Sequence, residues 1–159
     1  MCRVLLAAWT VLPALCQNSQ TCPWLNSATA AGVLDGPVTS TVVYANRNKD
    51  DSSCVFVRQN GPRGDALRIE VRSMINRSVE FSALAAKCAS NATPLVSIGN
   101  EAVACSKGGR GGERSEEVVG RVRERAFMIR VSTHDPSRAK AELREKARNV
   151  AEQVAGILF

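Results

Sequence analysis

Residues 66–74 have the sequence ALRIEVRSM, in which apolar and charged side chains alternate. In an extended chain the two sets face opposite sides, Leu67, Ile69 and Val71 on one and Arg68, Glu70 and Arg72 on the other. One apolar and one charged face are typical of an antiparallel sheet that covers a core on one side and meets water on the other. The segment therefore predicts a half-buried strand of an antiparallel sheet.

Strand-like and helix-like patterns lie on both sides of this segment. Alternating or β-branched runs predict strands at residues 38–45, 54–59, 101–105, 117–123 and 126–133. The polar cluster Asn46–Ser53 predicts a turn by its composition. Helical spacing predicts helices over 28–34, over 79–89, and from Pro136 towards the end of the chain.

The predicted helices carry recognisable start and stop signals. Asn26 or Ser27 can cap the first helix, and Gly36 followed by Pro37 ends it. Ser78 is the predicted cap of the second helix. Asp135 is the predicted cap of the last, with Pro136 in its first turn.

The order of these elements predicts an α+β fold. We expect a single antiparallel β-sheet with helices packed on one face. After the short N-terminal helix, the pattern predicts two strand-strand-strand-helix units, at residues 38–89 and 101–159.

Residues 1–16 have the features of a secretory signal peptide. Arg3 precedes the apolar run Val4–Leu12, and the small residue Ala14 lies two positions before Cys16. The run is too short to span a bilayer, and no other segment reaches that length. We expect cleavage, with a single domain at residues 17–159 that is secreted, periplasmic or otherwise extracytoplasmic. The alternative is a lipid anchor on Cys16, against which Leu15 argues, because a small residue normally precedes a lipidated cysteine.

Export changes the interpretation of the cysteines. Cys22, Cys54, Cys88 and Cys105 remain after the signal, and an even number in an oxidising compartment predicts two disulfides. Of the three possible pairings, we favour Cys22 with Cys54 and Cys88 with Cys105, because each bond then links a helix end to a strand in its own half. No close cysteine pair has zinc-site spacing, so we expect no metal.

The charge of the chain narrows the class of partner. The formal net charge is +6, and aromatic residues make up 4% of the sequence. A basic surface favours an anionic envelope component or an acidic partner protein, whereas the scarcity of rings for base stacking argues against nucleic acid. The alternative is a basic surface that only confers solubility.

The predicted strands offer a candidate binding surface. Outward-facing arginines could align across neighbouring strands into a cationic face for an anionic ligand: Arg68, Arg72, Arg121, Arg123 and Arg130. Cross-strand carboxylates could neutralise them instead, from Glu70, Glu117 and Glu124.

The sequence contains no recognisable catalytic constellation. His134 is the only histidine, and no G-x-S-x-G nucleophile motif accompanies it. The glycine loop 107–112 lacks the G-K-[ST] of a phosphate-binding loop and precedes a predicted strand. We therefore expect no enzyme activity and no cofactor.

The arrangement of motifs resembles a known class of small domains. An early cysteine precedes an Ala-rich helix that ends in Gly-Pro-Val (Cys22–Val38), a second cysteine lies on a strand (54–56), and the stretch 97–102 and an alanine-rich final helix follow. These features resemble secreted or lipid-anchored bacterial cell-envelope domains of unknown function, of the actinobacterial lipoprotein type. The resemblance implies an α+β envelope domain with a disulfide near Cys22 and no known catalysis.

These observations together predict a non-enzymatic binding, sensory or interaction module of the cell envelope. Its ligand would be an anion or a partner protein. One alternative is a hydrolase-like enzyme with a site near His134, and another is a purely structural envelope component.

Overall fold

The alternating segment at 66–74 forms a strand of an antiparallel sheet in the computed structural model of the protein, which describes residues 21–45, 48–59 and 64–159. The predicted signal peptide, residues 1–16, lies outside the described residues. Seven strands are present within those three ranges: β1 Val38–Ala45, β2 Asn48–Arg58, β3 Ala66–Ser73, β4 Thr93–Leu95, β5 Glu101–Gly108, β6 Arg114–Val122 and β7 Arg125–Thr133.

The strands form one sheet in the order β1-β2-β3-β7-β6-β5-β4, and every neighbouring pair is antiparallel. The two longest-range partners, β3 and β7, meet in the centre, where Ile69 lies opposite Ile129. The predicted α+β class and single antiparallel sheet are therefore confirmed.

Three α-helices accompany the sheet in the part of the chain that the structure describes: α1 Ser27–Leu34, α2 Arg77–Ala85 and α3 Lys140–Leu158. A 3-10 turn at Ala86–Asn91 continues α2, and another lies at Arg110–Gly112. None of the described helices is both long enough and apolar enough to cross a membrane.

The helix starts differ in part from the predictions. Asn26 caps α1 through Oδ1, which accepts from the Thr29 amide at 2.8 Å, as predicted. Asn76 rather than Ser78 caps α2. Asp135 was predicted to cap the last helix, but its carboxylate accepts from the amide and hydroxyl of Ser137 and closes a local turn. The helix α3 begins at Lys140, five residues later, and has no side-chain cap.

The main core lies on one face of the sheet, which we call the helix face. Its strand residues include Phe56, Leu67, Ile69, Ile129 and Val131, and α1 and α3 cover them. From α3 the apolar stripe on this core consists of Leu143, Ala147, Val150, Ala151, Val154, Ala155 and Leu158. Burial of this stripe supplies most of the stability of such a helix in a globular protein.

The opposite face, which we call the arginine face, carries a second and smaller core. Phe81 and Leu84 of α2 pack there against Cys105 and Val119. The prediction that all helices pack on one face is therefore wrong for α2. The predicted division into two strand-strand-strand-helix units is not confirmed either, because β4 precedes the second set of three strands and α2 and α3 lie on opposite faces.

Both predicted disulfides are confirmed. Cys22 is bonded to Cys54 across a separation of 32 residues, and Cys88 to Cys105 across 17. The first bond ties the segment before α1 to the helix face, and the second ties the turn after α2 to β5 on the arginine face. Two disulfides indicate an oxidising, extracytoplasmic environment.

Close packing at Gly120 gives a test of the main core. A Cβ atom placed on this glycine would lie 2.2 Å from Cζ of Phe127, its cross-strand partner. We expect Gly120→Ala to lower the free energy of unfolding by roughly 1–3 kcal/mol, because the ring must leave its position. Urea unfolding measures this loss. Gly108→Ala is the control, since nothing lies within 4 Å of the added atom, and an equal loss in both variants would contradict the packing account.

Candidate functional site

The structure brings four of the five predicted arginines onto the arginine face. Arg68 and Arg72 lie on β3, Arg121 on β6 and Arg130 on β7, all at register positions that share this side of the sheet. Arg123 lies in the turn between β6 and β7, with a positive φ of 53°. The alignment of strand arginines anticipated from the sequence is therefore present, without Arg123.

Carboxylates neutralise most of this arginine set. Ion pairs join Arg68 to Glu70 at 3.2 Å, Arg121 to Glu101, and Arg130 to Glu117 at 2.6 Å. Arg72 and Arg123 have no ion pair within the described ranges. The arginine face is therefore largely balanced in charge.

Glu117 is the centre of the tightest of these clusters. Its side chain is 1% exposed, and its two oxygens accept from Lys107 Nζ at 2.6 Å and from Arg130 Nε at 2.9 Å. Arg68 lies directly opposite Arg130 in the register of β3 and β7. A cavity of about 290 Å³ lies over this pair, and Glu113 contributes a further carboxylate to its lining. This cavity therefore presents mixed charge to a ligand.

A larger cleft lies on the helix face beside α3. A cavity of about 720 Å³ extends along this helix and reaches Leu95 of β4. Lys140, Arg144 and Arg148 line it at intervals of four residues, which places them on one side of α3 about 6 Å apart along its axis. These cations lie next to the apolar stripe that packs on the sheet, so burial of the stripe fixes the direction in which they point.

A second cavity, of about 380 Å³, adjoins the first at Lys140. The end of β5, the start of β6 and the first turn of α3 form it. We call the two cavities together the α3 cleft. Its lining includes four cations that can face the cleft and two carboxylates: Arg114, Lys140, Arg144 and Arg148, with Glu116 and Glu145. Lys107 also borders it, but its register position puts its side chain on the arginine face.

The cations of the α3 cleft differ in how far they are neutralised. Arg144 contacts the buried carboxylate of Glu116 at 3.1 Å, and Arg148 contacts Glu152 at 3.0 Å. Lys140 has neither an ion pair nor a side-chain hydrogen bond to any described residue. An exposed, unpaired ammonium at the junction of two cavities is free to meet an anion.

Two further cations at the cleft are held by groups outside its lining. Lys107 pairs with Glu117 on the arginine face, so its ammonium does not enter the cleft, and Arg114 donates to the backbone carbonyl of Asp135 at 2.5 Å. The charge of Arg114 also interacts with the nearby Asp135 carboxylate, so it is partly compensated. Cations still outnumber carboxylates in the lining, so the cleft retains an excess of positive charge.

His134 does not form a catalytic cluster with the described residues. It is exposed, and its ring lies against Gly64, where an added Cβ would be 1.8 Å from Nδ1. The neighbouring hydroxyl of Thr133 donates to buried Asp65 and accepts from the Asp135 amide at 3.0 Å. His134 lines none of the cavities described above. None of these cavities brings His134 together with an acid and a hydroxyl, the arrangement that would favour the hydrolase alternative.

Among the residues that the structure describes, one group of potential metal ligands occurs, and two of its members are already bonded to each other. Donor atoms of Cys88, Cys105 and Glu117 lie within 4.8 Å of one another. Both sulfur atoms belong to a disulfide, so neither is the thiolate that a metal site requires.

A network of ion pairs joins α3, and the segment just before it, to the end of α1. Asp35, the left-handed residue that ends α1, accepts from Lys146 Nζ and Arg138 Nη1, each at 2.6 Å. The hydrogen bond from Lys146, followed by that from Arg138, holds the pKa of Asp35 below its ordinary value. Arg138 also lies 3.8 Å from the buried carboxylate of Asp65. The network thereby fixes where the cations of α3 lie relative to the sheet.

The α3 cleft is not among the binding surfaces that the sequence predicts. The spacing of Lys140, Arg144 and Arg148 shows in the sequence that they share a helix side. It does not show that this side borders the β4–β5 end of the sheet, which depends on the strand order.

Comparison with models of known protein families gives no match, and comparison with curated proteins gives no significant similarity.

Proposed function

We propose that the protein is an exported, non-enzymatic binding module of the cell envelope and that it holds an anionic ligand in the α3 cleft. The observation that carries the proposal is the position of Lys140, an unpaired cation at the junction of the two largest cavities described here. The largest concave site with a few convergent polar groups is the first candidate for ligand binding.

The charge balance favours the α3 cleft over the arginine face. On the arginine face, three of the predicted arginines are already paired with carboxylates, and the cavity there also exposes Glu113. The two cavities of the α3 cleft, of about 720 and 380 Å³, are each larger than the cavity of about 290 Å³ on the arginine face, and cations outnumber carboxylates in their lining. A ligand in the cleft would therefore gain attraction without first displacing a carboxylate from Lys140.

The shape of the cleft indicates the chemistry of its ligand. Lys140 lies about 6 Å along α3 from Arg144, whose guanidinium is shared with Glu116, so an anion with more than one charged group could contact both cations. Leu95 and Ala141 line the same cavity and offer apolar contact between the charges. We therefore propose a polyanionic ligand from the cell envelope rather than a small monovalent anion.

Export remains part of the proposal. The charged start, apolar run and small residues at 1–16 are typical of a signal peptide, and the two disulfides are consistent with an extracytoplasmic location. A lipid anchor at Cys16 is the alternative to release. Mass spectrometry of the protein from its native host distinguishes cleavage from acylation.

Charge reversal in the cleft tests the binding proposal. Titration of the protein against fluorescent poly-glutamate and against inorganic polyphosphate, at low and at moderate salt, measures affinity for carboxylate and phosphate polymers. We expect Lys140→Glu to weaken binding at least about tenfold, because one attraction is replaced by one repulsion. Glutamate is also tolerated in the first turn of a helix, so the fold should persist.

Arg72→Glu is the matched control, since it changes the net charge equally on the other face of the sheet. We expect it to reduce the affinity far less. Equal losses would show that only net charge matters, and a larger loss in Arg72→Glu would place the site on the arginine face. No binding of either polymer by the unmodified protein would contradict the proposal and favour the structural alternative.

A further inference from the structure

No strand of the described residues pairs with the outer edge of β1. Residues 38–44 have the sequence VTSTVVY, without a charge, a proline or a glycine. They stay in register with β2 until the irregularity between Tyr44 and Ala45. Ser40 and Thr41 are exposed, and Val43 is 60% exposed. A long, uncharged edge strand of this kind presents unpaired backbone groups to another strand.

Hydrogen bonding to β2 shows which backbone groups point outward. The Gln59 amide donates to the Pro37 carbonyl at 2.7 Å, so this is a hydrogen-bonded pair of the antiparallel ladder. Because such pairs alternate with non-hydrogen-bonded ones, residues 39, 41 and 43 bond to β2. The amides and carbonyls of Val38, Ser40, Val42 and Tyr44 then point away from the sheet.

The opposite edge lacks these properties. β4 consists of Thr93–Leu95 and contains Pro94, which has no amide to donate. Short edge strands and prolines are the usual protection against unwanted pairing. The contrast identifies β1 as the only long unprotected edge within the described part of the sheet.

We propose that β1 pairs with β1 of a second copy of this chain, antiparallel about a two-fold axis at Thr41. Ser40 then bonds to Val42 of the second copy, and Val38 to its Tyr44. Every outward backbone group from 38 to 44 finds a partner, which gives about eight main-chain hydrogen bonds. A two-fold interface requires such self-complementarity, and the register provides it without shifting either strand.

The side chains and charges fit a second copy better than a charged partner. On the arginine face the register places Thr39 opposite Val43 of the second copy, and Thr41 opposite its own equivalent. Such β-branched cross-strand pairs are favourable. Since residues 38–44 carry no charge, two positively charged copies can pair along this edge without placing like charges opposite each other in the strand pair. The α3 clefts would lie near the far edges of the joined sheet, so the proposal is independent of ligand binding.

Sedimentation and light scattering of the full chain, across a concentration series, test the pairing. We expect an equilibrium between monomer and dimer, with the dimer as the largest species at any concentration. In Thr41→Lys two ammonium groups face each other at the axis, and we expect the dissociation constant to rise at least about tenfold. Ser40→Pro removes an outward amide without touching the bonds to β2, and we expect it to be monomeric.

Val57→Lys is the matched control, because it adds the same charge on the same face but on β2, away from the axis. We expect it to dimerise as the unmodified chain does. Amide exchange adds a residue-specific measurement: Ser40, Val42 and Tyr44 should be protected in the unmodified protein and lose protection in Thr41→Lys. A monomer at submillimolar concentration, an assembly beyond the dimer, or equal effects of Thr41→Lys and Val57→Lys would overturn the proposal.

Discussion

Replacing both Cys22 and Cys54 by alanine should lower the free energy of unfolding by about 4 kcal/mol. The bond closes a loop across 32 residues, and cross-linking that loop removes conformational entropy from the unfolded chain. The thermal midpoint should fall by roughly 10–20 °C for a domain of this size. Calorimetry and denaturant unfolding of the oxidised protein measure the two quantities.

The second disulfide provides the matched comparison. Cys88 and Cys105 close a loop across 17 residues, so the same replacement there should cost about 3 kcal/mol. Both variants remove two sulfur atoms from buried or half-buried positions, and the difference between them therefore reports mainly on loop length. A larger loss from the shorter loop would show that packing around Cys105, rather than chain entropy, dominates.

The sequence predicts the core of the sheet well, because burial is encoded in the alternation of residues. Leu67, Ile69 and Val71 are all buried on the helix face, as their spacing predicts. The alternation specifies which residues share a face, and the hydrophobic effect then selects the face that meets the helices.

The sequence is less informative where pairing or a local hydrogen bond overrides composition. The polar run before Cys54 predicts a turn, yet β2 already begins at Asn48. Those residues are extended because they pair with β1 and β3, and strand propensity depends strongly on such pairing. Asp135 resembles a helix cap because an Asx turn uses the same side-chain acceptor as a cap does.

The candidate site depends on information that no single segment contains. The spacing of Lys140, Arg144 and Arg148 is local, but the cleft exists because α3 lies over β6 and β7 and leaves the β4–β5 side open. The position of α2 on the arginine face likewise depends on the order of the strands in the sheet and not on the sequence of α2 alone. Helical periodicity gives the apolar side of a helix, whereas the face that it covers depends on the path of the whole chain.

Removal of the buried Asp65 carboxylate should lower the stability of the fold far more than removal of an exposed carboxylate. Its carboxylate is 3% exposed and lies 3.2 Å from Arg58 Nε, in an orientation that makes an ion pair rather than a hydrogen bond. Thr133 donates its hydroxyl to the other oxygen, and Arg138 approaches from the segment before α3. One carboxylate thus joins the ends of β2, β3 and β7 to the base of α3.

We expect Asp65→Ala to lower the free energy of unfolding by about 3–5 kcal/mol, because Arg58 keeps a buried charge without its partner. The double variant Arg58→Met with Asp65→Leu should lose less than the single variant, since it removes both charges and keeps the volume. Glu70→Ala is the exposed control. The side chain of Glu70 is 39% exposed and that of its partner Arg68 is 49% exposed, and such pairs contribute at most about 1 kcal/mol to the free energy of unfolding. Urea unfolding of the four proteins, including the unmodified chain, separates the contributions. If Asp65→Ala lost no more free energy of unfolding than Glu70→Ala, the buried ion pair would not be what holds the segment before α3. The positions of the cations in the α3 cleft would then depend on other contacts.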